Sequence, residues 1–251
     1  MELHAQHRSG QAGFTLPEVL ISLVLGLSLV STVMMVYLAA VTSAADSSSQ
    51  AQLNHNLRTS LDLILNELRR AGGLAGNALP DSESAMQSLY SNNPFMDAVS
   101  NLRLWDCNAA YECRCVTYSY DLDGDNDPYT GDMNHFGFKL NSSKRLQIRT
   151  GTSVSESGPH PGCGYNPALN TWESLTEDDV KITHFSMSYI DRDGHILPAP
   201  EAIAIPGGHA CTAGDSCLEA RNLQVTISGS KDGFSMTVTG KVRVRNDRYI
   251  P

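Results

Sequence analysis

The sequence predicts an α+β protein: a long N-terminal helix packed on an antiparallel β-sheet head with disulfide-linked loops. Three observations predict it. A nearly chargeless apolar stretch near the N-terminus runs, with no proline between Pro17 and Pro80, into an amphipathic segment. Strand-like segments recur through the second half, with clear alternation from Met236 to Arg245. All six cysteines lie beyond residue 106, and an even set confined to the polar part suggests disulfides and an oxidising compartment. At 251 residues the chain is long enough for a sizeable core. Its net charge of −9, with no basic cluster, makes nucleic acid an unexpected partner.

The first 13 residues are polar and end in Gln11-Ala12-Gly13. From Phe14 to Ala45 the only charged side chain is Glu18, and Val19 to Ala45 gives 27 uncharged residues. About 20 cover the hydrocarbon core of a bilayer, so residues 14–45 are long enough for a tilted span. A secretory signal peptide would place its cleavage site after a shorter apolar run. Here the small residues precede the run. A carboxylate within a span is costly, so Glu18 calls for a partner.

Gly13-Phe14-Thr15-Leu16-Pro17-Glu18 resembles the prepilin motif of type IV pilins and type II secretion pseudopilins. The resemblance implies cleavage between Gly13 and Phe14 by prepilin peptidase, removal of residues 1–13 as a leader, and N-methylation of Phe14. It makes Glu18 the assembly residue, paired with the N-terminal amine of its own or a neighbouring subunit. An ammonium and a carboxylate in a low-dielectric bundle neutralise each other, so the pairing is physically sound. Arg8 is the only Lys or Arg in the leader, which is less basic than is usual for such leaders.

Beyond Asp46 the helical period continues. Leu53, Leu57, Leu61, Ile64, Leu65 and Leu68 form one face. Arg69 and Arg70 suit a helix C-terminus and Gly72-Gly73 ends it, so one helix is expected from about Thr15 to Ala71. Residues 46–73 are its amphipathic half, with the Leu stripe read as core packing. Gly26 is expected to mark either a site where the helix bends or melts in the assembled filament or a close helix contact.

Residues 74–251 form the expected head, outside the cytoplasm. Leu74 to Ala110 reads as loop with short helical turns. Strands are expected at Cys115–Tyr120, Phe136–Leu140, Arg145–Thr150, Val180–Ile190, Leu223–Ser228 and Phe234–Val244, with Gly229 to Gly233 as a hairpin loop. The stretch Thr176 to Tyr189 and the ending Val242-Arg243-Val244-Arg245-Asn246 resemble minor pilins of the PilW-like class.

The disulfide candidates are Cys107, Cys113, Cys115, Cys163, Cys211 and Cys217. Cys211 with Cys217 is a plausible local pair. Cys107 with either Cys113 or Cys115, and the remaining one with Cys163, would complete the set. Zinc is disfavoured because no second knuckle accompanies Cys113-Arg114-Cys115. In Asp121-Leu122-Asp123-Gly124-Asp125-Asn126-Asp127-Pro128-Tyr129-Thr130-Gly131-Asp132, carboxylates fall at positions 1, 3, 5, 7 and 12. A twelve-residue calcium loop has that pattern, but position 6 here is Asn126 and position 12 is Asp132, not the usual Gly and Glu. Calcium is therefore the one cofactor suggested, through Asp121, Asp123, Asp125, Asp127 and Asp132, against the alternative of a solvated acidic turn. Asp191-Arg192-Asp193-Gly194 reads as a hairpin turn.

No catalytic motif is present, and the protein is not expected to be an enzyme. The resemblance implies a minor pilin of a type IV pilus that takes part in priming and assembly, and so in twitching motility or adhesion. The expected partners are prepilin peptidase, the inner-membrane assembly machinery, other minor pilins, the major pilin and a tip adhesin. The lipid bilayer surrounds the helix before assembly. The expected location is the bacterial inner membrane with a periplasmic head, then the pilus. Alternatives are a minor pseudopilin of a type II secretion system and a membrane-tethered calcium-binding adhesin.

Overall fold

The computed structural model describes residues 13–74, 82, 84, 88, 91–97, 100–129, 135–149, 162–164, 171–205 and 207–250. The chain divides into two units, Met1–Ser48 and Ser49–Pro251. A single helix, α1 (Leu16–Arg70, 55 residues), contributes to both.

In the first unit the helix exposes its apolar side chains on every side. From Phe14 to Val41 the large apolar residues are 47–88% exposed. Water would not tolerate such a surface, whereas lipid or a bundle of like helices would cover it. Its hydroxyls are already satisfied: Ser22 donates to Glu18 O at 2.7 Å, Ser31 to Leu27 O at 2.8 Å and Thr32 to Ser28 O at 2.9 Å. Gly26 lies within the unbroken helix, and a Cβ there would have no neighbour within 4 Å.

In the second unit the same helix is amphipathic. Leu53, Leu57, Leu61, Ile64 and Leu68 are buried, with Leu65 partly buried beside them. Burying a leucine is worth about 2 kcal/mol, so this stripe is what holds the helix on the head. The helix stops at Arg70, and Gly72 follows at φ 71°, the left-handed conformation that ends helices at little cost to glycine.

The head contains twelve strands among the described residues: β1 (Arg103–Cys107), β2 (Cys113–Ser119), β3 (His135–Leu140), β4 (Leu146–Arg149), β5 (Trp172–Ser174), β6 (Lys181–Ile190), β7 (Ile196–Leu197), β8 (Glu201–Ala204), β9 (Cys217–Ala220), β10 (Asn222–Lys231), β11 (Phe234–Arg243) and β12 (Arg248–Ile250). The main sheet has the order β11-β10-β6-β2-β3-β4-β5, with β1 added to β2 and β7 to β6. A separate sheet has the order β12-β9-β8. Among the described residues every strand pairing is antiparallel. The helix stripe packs with Val116, Tyr118, Phe138, Ile182, Phe185, Val225 and Ile227 in one core.

The hairpin at the end of the sheet differs from the expected one. β10 continues through Gly229 to Lys231, and the turn is only Asp232-Gly233, at φ 48° and 85°. Asp-Gly with both residues at positive φ is a favoured two-residue hairpin connection. Gly229 is a strand residue under the helix: a Cβ there would lie 2.9 Å from Leu57 Cδ2. Gly240 on β11 has the same role, with Leu65 Cδ1 at 2.6 Å. Two further expectations are corrected. The span read as loop up to Ala110 contains β1, which lies along β2 from Arg103↔Thr117 to Cys107↔Cys113. The short strands β5, β7, β8, β9 and β12 were not expected from the sequence, since segments of two to four residues carry too little period to read.

Candidate functional site

The start of α1 is built by a local cap. Thr15 precedes the helix, and the Glu18 carboxylate accepts from the Thr15 backbone N–H at 3.0 Å and from the Thr15 hydroxyl at 2.9 Å. Thr and Glu three residues apart form this capping arrangement, with Pro17 suited to the first turn. Glu18 therefore has a partner within its own chain. Thr15 was missed in reading the sequence, although the T-x-x-E spacing before an apolar run is a known signal. Gly13 and Phe14 lie before the helix, both exposed. A Cβ on Gly13 would meet nothing within 4 Å. Gly13 and Phe14 are thus both exposed, and among the described residues nothing requires glycine at 13.

The acidic loop follows Tyr120. Asp121 is buried and Asp123 and Asp125 are exposed, yet each offers an oxygen within 4.8 Å of the others. The loop is wound by its own carboxylates: Gly124 N donates to Asp121 Oδ1 at 2.8 Å, Asp127 N to Asp125 Oδ1 at 2.8 Å and Tyr129 N to Asp127 Oδ1 at 2.9 Å. Asn126 sits at φ 61°, a conformation asparagine tolerates better than most residues. Hard carboxylate oxygens this close fit a calcium ion with bonds of about 2.4 Å in donor type and spacing. Asp127 is not in the converging group, and Asp132 lies outside the described residues. Behind the loop, His135 is buried and its Nε2 lies 2.7 Å from Pro128 O. The carbonyl requires the ring nitrogen to donate. Burial, and then the Arg149 charge, push the His135 pKa down to about 4.

A second group, Asp191, Asp193 and His195, also converges. It is the β6–β7 turn, in which Asp191 accepts from Gly194 N at 2.7 Å and His195 N at 2.8 Å. Its pairing with the Asp191 carboxylate raises the His195 pKa and lowers that of Asp191.

The cysteines form three disulfides: Cys107–Cys113, Cys115–Cys163 and Cys211–Cys217. The first joins opposed residues of β1 and β2. The last closes the loop that leads into β9.

An exposed apolar helix that becomes amphipathic and packs on an antiparallel, disulfide-bonded sheet defines a pilin-like protein. Residues 8–34 match the prokaryotic N-terminal methylation motif. Residues 46–245 match prepilin peptidase-dependent protein B, and the chain belongs to that family. No curated protein and no solved structure matches it. Dependence on prepilin peptidase implies contact with that peptidase and with the assembly machinery.

Proposed function

We propose that this pilin-like protein is a minor pilin of a type IV pilus, acting in priming and assembly of the filament. The observation that carries the reading is the start of α1, where Gly13-Phe14-Thr15-Leu16-Pro17-Glu18 leads straight into a helix with no apolar face covered. In this reading residues 1–13 are the leader, residues 14–45 the membrane and filament-core segment, residues 46–73 the packed half of the helix and residues 74–251 the head. The peptidase cuts between Gly13 and Phe14, Phe14 is methylated, and the head faces the periplasm before the subunit joins major and minor pilins beneath a tip adhesin. Glu18 exchanges its bond to Thr15 for an N-terminal amine on assembly. The size of the head and the PilW-like segments favour a minor over a small major subunit. A minor pseudopilin of type II secretion shares the same helix start. A deletion strain tests the reading: loss of twitching with normal secretion is expected, and loss of secretion alone overturns it in favour of the pseudopilin.

The convergence of Asp121, Asp123 and Asp125 supports a separate proposal, that the loop binds calcium. Repulsion among close carboxylates is relieved by a hard dication.

A further inference from the structure

The last turn of α1 and the C-terminal segment together form an open groove of about 440 Å³. Its lining includes Arg69, Arg70, Tyr120, Arg245 and Asn246. Arginines at a helix end commonly serve its unpaired carbonyls. Here other groups have that task. Leu68 O accepts from Ala71 N, Arg69 O from Arg245 N, Arg70 O from Gly73 N and Gly73 O from Asp121 N. Ala71 O accepts from the Asn246 side chain and Gly72 O from the Asn93 side chain. None of the three guanidinium groups is taken up by these carbonyls.

Of the three charges, only that of Arg70 is matched by a carboxylate nearby. Arg70 pairs with Glu67 at 3.3 Å and lies over the Tyr120 ring at 4.1 Å, which holds it in place. Among the described residues, neither Arg69 nor Arg245 has a carboxylate within ion-pair distance; Arg69 donates only to Asn66 Oδ1 at 3.1 Å. All three arginines are exposed. Asp121, which also lines the groove, is buried and occupied in its own loop. With Glu67 offsetting Arg70, the two unpaired charges of Arg69 and Arg245, brought from two distant segments to one groove, leave a local positive excess in a chain of net charge −9.

We propose that the Arg69–Arg70–Arg245 groove is a docking site for an acidic segment of a partner subunit, one carrying two or more neighbouring carboxylates. Guanidinium forks match carboxylates in pairs, and a planar ring beside them adds stacking surface. A protein partner is favoured over a lipid surface because Arg69 and Arg70 follow the uncharged stretch by more than 20 residues in sequence. This deepens the assembly reading and rests on it for the identity of the partner as a subunit.

Hexaglutamate is the probe, titrated into the full chain in neutral detergent micelles and followed by calorimetry. Saturable binding that weakens steeply with salt is expected, as for exposed charge pairs. Arg69→Gln with Arg245→Gln should weaken it about tenfold or more, and Arg114→Gln on β2 should leave it unchanged. Equal loss with Arg114→Gln, or no binding at all, overturns the proposal. So does tighter, groove-dependent binding of inorganic phosphate, a single-stranded oligonucleotide or anionic lipid vesicles. A chain that binds hexaglutamate through the groove but whose loss leaves twitching intact would refute the pilus reading while keeping the site.

Discussion

Glu18 is tied to the start of its own helix. In the free chain its carboxylate is held by Thr15, so it need not be left bare at the edge of a membrane. Glu18→Ala is expected to be processed normally but to enter filaments poorly, as read by immunoblot of sheared pili. Gly13 has open space around it, so replacing it with a large residue should leave the fold intact and stop cleavage, which mass spectrometry of the mature N-terminus detects. His135 gives a pH prediction. Its folded pKa of about 4 lies below the ordinary value of 6.5, mainly through burial. The unfolded chain then takes up the proton first as pH falls. The stability held by the neutral ring is expected to be full above about pH 6.5 and to fall by about 3 kcal/mol as the pH drops toward 4. Denaturant titrations at stepped pH should show this loss shrink in His135→Gln.

Elements were legible in proportion to their length and regularity. The Leu stripe and the end of α1 at Gly72 could be read because a 3.6-residue period and a glycine stop persist over many residues. β6, β10 and β11 were read as strand-like runs, the last by its two-residue alternation. Gly229 was misread because glycine marks both turns and close approaches, and only the helix above it shows which applies. Alanine at Gly229 or Gly240 should cost about 1 kcal/mol, since the clashing atoms are mobile leucine tips, and valine about 2–3 kcal/mol, measured by denaturant titration. The acidic loop was legible as a carboxylate pattern, while its convergence was not, because that depends on how the loop winds. Calcium is expected to raise the melting temperature of the full chain in micelles, magnesium less so, and Asp123→Ala to abolish the rise. A response no greater than that to equal ionic strength sinks the calcium proposal. The Arg groove was hidden from sequence reading because Arg245 joins Arg69 and Arg70 only through the fold.

For the whole molecule, oxidation is the test of compartment and fold together. With three disulfides the intact protein should weigh six hydrogens less than its reduced form. In the chain-entropy picture a bond across 48 residues is worth about 4 kcal/mol and one across six about 2. Replacing Cys115 and Cys163 with alanine should thus lower stability more than replacing Cys211 and Cys217, as compared by denaturant midpoints.

The two half-cystines of β2 have a kinetic consequence. Cys113 and Cys115 are separated only by Arg114 and are buried on the same strand face, so two neighbouring thiols compete for Cys107 as the chain oxidises. Short loops close most readily, so Cys107 is captured well before Cys163 is brought within reach. If it takes Cys115 instead of Cys113, Cys163 is left with the wrong neighbour, and the error is corrected only when a thiolate reopens the bond. Oxidative refolding of the reduced chain without a disulfide isomerase is expected to leave a fraction in a shuffled form, with Cys107 joined to Cys115 and β1 held out of register, and adding the isomerase should remove it.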